Sequence, residues 1–175
     1  MIIAAVKNKE DISDALQSEV SLILHMTPNI HTLQQEIEEI HHAGKKVLLH
    51  FDLSEGIGKD KSGLLFVKNA GADGIISTRS NLIKSAKEAG LLTIQRFFIV
   101  DSHSVDTTVE ALKSSKADMI EIMPGIMPKM IKQIKGRVSV PIIAGGLIET
   151  KEEIDDALNS GATAISTGKK HLWRL

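Results

Sequence analysis

PIIAGGLIETKEEIDDALNSGATAISTG, residues 141–168, reads as a strand, a helix and a second strand, and this unit sets the pattern of the whole chain. Residues 141–145 are apolar throughout, without the alternation of a half-exposed strand. Runs of that kind suit parallel sheets covered by helices. Thr150 and Glu153 then form a capping-box pair, in which hydroxyl and carboxylate each satisfy a free N–H at the start of a helix. Ile154, Ala157 and Leu158 supply that helix with its apolar face, Gly161 ends it, and TAIST, 163–167, begins the next strand.

Working outward, the same alternation recurs. IIAAV (2–6), VSLIL (20–24), KVLLHF (46–51), DGIIS (73–77), TIQRFFIV (93–100) and DMIEI (118–122) bring the strand runs to eight. Between the second and third, Ile30, Leu33, Ile37 and Ile40 repeat at three and four residues opposite Gln34, Glu38 and Glu39, and Gly44 stops the pattern, which predicts an amphipathic helix. Pro128 fits the first turn of another, where no N–H is required. Strict alternation leaves an open doubly wound sheet or a closed barrel. Eight units favour a compact TIM-type (β/α)8 barrel, although 175 residues fall below the roughly 200 or more of a typical one. The last helix is therefore expected to shrink to a stub, KKHLWRL, with a seven-stranded or open sheet as the alternative. GADGIIST (71–78) echoes GATAISTG (161–168) four units later. Half-barrel duplication would produce that offset, and so would a common helix-to-strand turn with Gly after the helix. No linker interrupts the pattern, so residues 1–175 read as a single domain.

Composition narrows the classes. Hydrophobic residues make up 42% and charged residues 25%, too apolar for a disordered chain. The formal net charge of -1 gives no global positive field, so a nucleic-acid partner would need a local patch. Without cysteine there is no disulfide framework, thiolate metal site or cysteine nucleophile. MIIAAV is too short for a signal sequence and no apolar run nears the roughly 20 residues of a membrane span. A cytoplasmic protein without membrane contact is expected.

In a barrel the ligand site lies at the C-terminal ends of the strands, and the loops after strands seven and eight commonly hold phosphate. Gly145, Gly146 and Leu147 follow the seventh strand, where paired glycines let the backbone approach an anion. Ser166, Thr167 and Gly168 end the eighth, with Lys169 and Lys170 adding positive charge. Asp52, Arg79, Gln95, Arg96 and Glu121 lie at other strand ends, either binding the ligand or locking the barrel as a paired network. Gln95 and Arg96 are adjacent and so face opposite sides; the sequence leaves open which points inward. SEGIGKDKSG, 54–63, is long for its place. It reads as a flap over the site or a second anion cradle, through Glu55, Gly56, Gly58, Lys59 and Asp60, or as a plain surface loop. The histidines lack ligand spacing, so no metal or other cofactor is expected, with a divalent ion on Asp52, Glu55 or Glu121 left as an alternative.

HFDLSEGIGKD (50–60), GIISTR (74–79), TIQRFFIVDS (93–102), IEIMPG (120–125), PIIAGGLI (141–148) and LW (172–173) closely resemble the glycerol uptake operon antiterminator regulatory protein family, in one order along nearly the whole chain. The resemblance implies a regulator responsive to glycerol 3-phosphate that binds leader messenger RNA and lets transcription pass a terminator. It covers the Gly145–Gly146 segment and Asp52, Gly56, Asp60, Arg79, Gln95, Arg96, Asp101, Glu121 and Gly125. Where the family usually reads Ser-Thr-Ser or Thr-Thr-Ser after strand eight, this chain has Ser166-Thr167-Gly168, one hydroxyl fewer.

RNA binding rests on the resemblance; the residues add a candidate surface. Lys129, Lys132, Lys135 and Arg137 follow one another on or beside the sixth helix, Lys113 and Lys116 close the fifth, and Lys84 and Lys87 sit on the fourth. Neighbouring helices of a barrel would merge them into one basic stripe, or they form solvated helix faces. The competing function is a barrel enzyme acting on a triose or glycerol phosphate, an aldolase, isomerase or hydrolase, with Glu121 or Asp52 as base and Arg96 stabilising charge. No lysine lies inside a strand run except Lys46 at the start of one, which argues against Schiff-base chemistry. We expect no catalytic residue. Homo-oligomerisation is left open.

Overall fold

The computed structural model describes residues 1–175. Eight strands, β1 (Ile2–Val6), β2 (Leu22–His25), β3 (Lys46–His50), β4 (Gly74–Ser77), β5 (Leu92–Phe98), β6 (Met119–Met123), β7 (Ile142–Gly145) and β8 (Ala164–Thr167), pair in parallel and in order. Ile2 aligning with Ile165 closes the circle. Seven helices alternate with them: α1 (Lys9–Leu16), α2 (Leu33–His42), α3 (Lys61–Asn69), α4 (Ser80–Glu88), α5 (Ser102–Ser115), α6 (Pro128–Lys135) and α7 (Lys151–Asn159). The eighth is a 3-10 stub, Lys170–Arg174. A barrel of this length closes because its strands are four to seven residues long and its last helix is only that stub.

The stub is nevertheless anchored. Trp173 is buried and its indole N–H donates to the Thr167 carbonyl at 2.8 Å. Lys170 reaches Asp14 at 2.6 Å and Asp11 at 3.0 Å on α1, contacts that hold its ammonium above its ordinary pKa. The chain's two ends thus meet through α1.

Period-two alternation sorts the strand side chains into two cores. Outward residues such as Ile23, Val47 and Ile75 pack under α1 to α4, and Ile120, Ile122 and Ile165 under the remaining helices. Inward, Ile3, Leu24, Leu48, Ile76, Ile94 and Ile143 fill the lower barrel. Thr150 and Glu153 make the expected capping box, and Pro128 opens α6. The helix read from Ile30 begins only at Leu33. Ile30 instead donates its N–H to the Glu55 carbonyl at 3.0 Å, in a short parallel bridge between two loops.

The echo between residues 71–78 and 161–168 has a local cause. Gly71 and Gly161 have φ of 101° and 110°. Each donates back to the helix, and the following residue closes a longer bond, Ala72 to Val67 and Ala162 to Ala157. This is the Schellman arrangement, and Gly44 and Gly90 repeat it after α2 and α4. A turn used four times accounts for the similarity.

Candidate functional site

A cavity of about 460 Å³ opens at the C-terminal end of the barrel. The loops after β7 and β8 form one wall, through Gly146, Leu147, Ile148, Gly168 and Lys169, while Arg96, Glu121 and Ser166 line it from the barrel interior.

The wall is built from unusual backbone. Gly146 and Leu147 both lie in the left-handed region, at φ 76° and 61°. Leu147 pays a steric cost that glycine avoids, and its side chain is exposed. The consecutive left-handed residues leave the amides of Gly146, Leu147 and Ile148 without an acceptor in the chain, and the Gly168 amide likewise. All four residues line the same cavity. Successive backbone N–H groups left free in such a turn are the material of an anion-binding concavity. The two loops are locked together: the Thr167 hydroxyl donates to the Ile148 carbonyl at 2.9 Å and accepts from the Lys169 amide at 3.1 Å. Thr167 therefore shapes the wall, with its hydroxyl proton already committed. Gly125 donates to the Gly146 carbonyl at 3.0 Å, fixing the loop from the β6 side.

Gly145 has a different task. A Cβ there would collide with the Glu121 carboxylate, so its missing side chain is the space Glu121 occupies. Glu121 is 1% exposed and accepts from Arg96 Nε at 2.5 Å. Burial pushes its carboxyl above the ordinary value, against the pull of Arg96 and the Ser166 hydroxyl. Arg96 Nη1 donates to His50 Nε2 at 2.7 Å. Burial and the adjacent guanidinium press the His50 pKa down to about 4. The imidazole is neutral, and its Nδ1 is buried without a partner. Arg96 and Glu121 align across β5 and β6, and Arg96 Nη2 has no hydrogen-bond partner in the chain.

The remaining residues named from sequence fall elsewhere. Arg96 points inward; Gln95 faces the helices, donating to Ser80 and accepting from Ser115. It braces α4 against α5 and does not line the mouth. Asp52 does not join Arg96 and Glu121, because the chain turns into a 3-10 segment, Phe51–Leu53, directly after β3. The turn carries Asp52 to Ser77 Oγ at 2.6 Å and the Thr78 amide at 2.8 Å. Burial pushes its carboxyl up, but these bonds outweigh it and hold the pKa below the usual range. Arg79 lies 4.0 Å from Asp52 and is half exposed.

The 54–63 loop packs beside the β2 loop and against its own carbonyls, away from the cavity. None of its residues lines the cavity. Glu55 is bridged to the β2 loop, with Asn29 donating to its carboxylate at 2.8 Å. Lys59 donates inward to the Ser54 and Ile57 carbonyls and sits over the Phe51 ring. Asp60 caps α3 through the Gly63 amide, with Gly58 packed close against Gly63. Gly56, at φ 72°, turns the chain beside Ile30. Asp52, Glu55 and Glu121 thus have separate partners, and no three acidic or histidine side chains converge as a metal set.

Of the two lysines after β8, only Lys169 faces the mouth, where it pairs with Glu149 at 2.8 Å. Sequence reading missed His50 and Lys7. Lys7 lines the cavity, and its side chain has no ion pair. His50 was legible: two residues after inward Leu48 in the same strand, it faces the barrel axis as Arg96 and Glu121 do. Of the basic residues, Lys87, Lys113, Lys116 and Arg137 share one cavity at the opposite end of the barrel. Lys84, Lys129, Lys132 and Lys135 are exposed outside it.

Residues 2–173 match the family model described as glycerol-3-phosphate responsive antiterminator. The chain is similar to a glycerol uptake operon antiterminator regulatory protein of Listeria monocytogenes, 37% identical with a TM-score of 0.93 over 98% of this chain and 94% of that one. A glycerol uptake operon antiterminator-related protein of Thermotoga maritima is 33% identical, TM-score 0.89, covering 99% and 98%. The uncharacterized protein YgcP of Escherichia coli K12 is 38% identical over 99% of this chain and 92% of its own. A decarboxylase and several aldolases, at 11–20% identity, share the fold alone.

Proposed function

This chain belongs to the glycerol-3-phosphate responsive antiterminator family, and from that membership we propose that it is a cytoplasmic regulator whose barrel mouth takes glycerol 3-phosphate and whose ligand state governs binding to leader messenger RNA. One observation carries the ligand half: four backbone amides without acceptors, from two interlocked loops, line one cavity. A phosphate dianion accepts several such bonds at once, and fixed dipoles need no reorganisation to receive it. Lys7, which forms no ion pair, adds positive charge at the rim, while Lys169 is held there by Glu149.

The glycerol moiety would then extend toward Arg96, Glu121 and Ser166. Arg96 offers Nη2 as a donor and Glu121 a carboxylate held by Arg96, a pair suited to vicinal hydroxyls. A site built to hydrogen-bond hydroxyls discriminates strongly against analogues lacking them, because its buried groups are otherwise left unpaired. The reading is of a sensor and not an enzyme, in keeping with the regulators named among the similar structures.

The test is a titration of leader RNA with and without saturating glycerol 3-phosphate. A shift in RNA affinity supports the reading, and the linkage is reciprocal, so RNA should shift glycerol 3-phosphate affinity by the same factor. Binding unaffected by the ligand, or sustained conversion of glycerol 3-phosphate to a product, contradicts it.

A further inference from the structure

Opposite the mouth, where β6 and β7 begin, a second cavity of about 480 Å³ opens between the C-terminal ends of α5 and α6. Its floor is apolar, from Val109, Leu112, Ala117, Val138 and Val140. Four cations and one acid rim it: Lys87, Lys113, Lys116, Arg137 and Asp118. Three of the cations have an anionic neighbour, Lys87 with Asp118 at 2.6 Å, Lys113 with Glu110 at 2.8 Å and Arg137 with Asp106 at 2.5 Å. Lys116 forms no ion pair.

Cations in the last turn of a helix complement its dipole, which accounts for Lys87 and Lys113. It does not account for Lys116. That residue follows α5 in the left-handed conformation, φ 54° and ψ 37°. At four other helix ends, the left-handed residue is glycine. Here alone the chain keeps a long cationic side chain where a Cβ is sterically penalised. A strained residue of this kind, on the rim of a cavity and without a partner, indicates a role outside stability.

The chemistry defines the occupant: a flat apolar body carrying negative charge. Apolar walls and a guanidinium accept the face of a base, and ammonium groups take the adjoining phosphates. Resting on the RNA-binding reading above, we propose that this cavity holds an unpaired nucleotide of the leader RNA, its base over Val138 and Val140 and its phosphate at Lys113 and Lys116. The RNA and effector sites then lie at opposite ends of the barrel, coupled through β5, β6 and β7.

Lys116→Gly tests this without risk to the fold. Glycine relieves the left-handed backbone, so the melting temperature should hold or rise by about 2–4 °C, while the lost charge-assisted contact to phosphate should lower leader RNA affinity about tenfold. Lys113→Glu with Lys116→Gly should fall further and lower the salt slope by about 0.7 per lost contact. In the wild type, photocrosslinking of 4-thiouridine-substituted leader RNA should mark the peptides around 112–118 and 137–140. Wild-type affinity in both variants, with crosslinks elsewhere, would overturn the assignment. So would loss of binding in Phe98→Asp, at the exposed C-terminal end of β5, but not in Lys116→Gly. If wild-type protein binds no leader RNA at all, the underlying RNA-binding reading fails, and the cavity assignment with it; wild-type binding that survives both variants sinks the cavity alone.

Discussion

The lower and upper halves of the barrel interior are filled under opposite rules. Below, Ile3, Leu24, Leu48, Ile76, Ile94 and Ile143 make a dry apolar layer. One step up the same strands, His50, Arg96, Glu121 and Ser166 form a buried polar layer under an open cavity. Apolar residues can exchange with one another at small cost if volume is kept. Each member of the polar layer depends on a named partner. The lower half specifies that a barrel forms; the upper half specifies what the barrel can hold, and it is where a single change should be felt most.

The sharpest way to break that contrast is Arg96→Met. It leaves Glu121 buried without its cation, which typically costs about 3–5 kcal/mol, against about 0.5–1.5 kcal/mol for Ile143→Val in the layer below. Adding Glu121→Leu to Arg96→Met should restore most of the loss, since replacing a whole buried pair is often neutral. Chemical denaturation measures all three. Equal losses for Arg96→Met and Ile143→Val would show the two layers to be energetically alike.

A second effect separates the layers by pH. His50 has its pKa lowered from 6.5 to about 4 in the folded chain. The unfolded chain therefore binds the proton more readily over that interval. The stabilisation is complete above pH 6.5 and is lost as pH falls toward 4, by about 3 kcal/mol at most. His50→Gln should flatten this window, measured by urea melts at pH 7 and pH 4.5. Asp52, whose pKa is lowered below 3.8, acts only at still lower pH. An unchanged profile in the variant would show that His50 does not set this window.

Smaller effects distinguish the glycines of the wall. Gly145→Ala collides with Glu121 and should reduce both stability and ligand affinity. Gly168→Ala meets only the Ala5 carbonyl, at 3.5 Å, and should change stability within about 0.5 kcal/mol. Thermal melts with and without ligand compare the pair, and a reversed order would mean that Glu121 moves freely. The smallest expected effect is that of Lys129, Lys132 and Lys135 replaced together by Glu. These residues lie outside both cavities, so ligand affinity should remain, and the salt slope of RNA binding should fall by far less than the roughly 2 expected of three engaged lysines.

Local signal and side-chain orientation divide along the same line. The eight strands, the capping box at Thr150 and the stub ending the chain each rest on repeated local signals, apolar runs and turn residues, that point one way. The mouth depends on orientation. Gln95 and Arg96 are equivalent as adjacent polar residues, and only the strand register, with Arg96 beside Glu121, decides which enters the barrel. Asp52 also ends a strand run, but a single 3-10 turn redirects it to Ser77 and Thr78. Lys59 and Gly58 have the composition of an anion cradle, and in the fold the Lys59 ammonium donates to the loop's own carbonyls, a contact that composition does not reveal. Gly145, Gly146 and Leu147 after β7 and Ser166, Thr167 and Gly168 at the end of β8 mark these loops in the sequence; that Leu147 takes the left-handed conformation carries no sequence signal.

In the proposed function, the mouth grips phosphate through the backbone amides of Gly146, Leu147, Ile148 and Gly168. The most direct measurement is the melting temperature of the wild type and of Gly146→Val with glycerol 3-phosphate or glycerol. At about 100 times its dissociation constant, glycerol 3-phosphate should stabilise the wild type by about 2.7 kcal/mol, with a far smaller shift from glycerol. The response should be lost in the folded variant, whose β-branched side chain cannot keep the left-handed turn. Equal shifts from glycerol and glycerol 3-phosphate, or a full response in Gly146→Val, would contradict it.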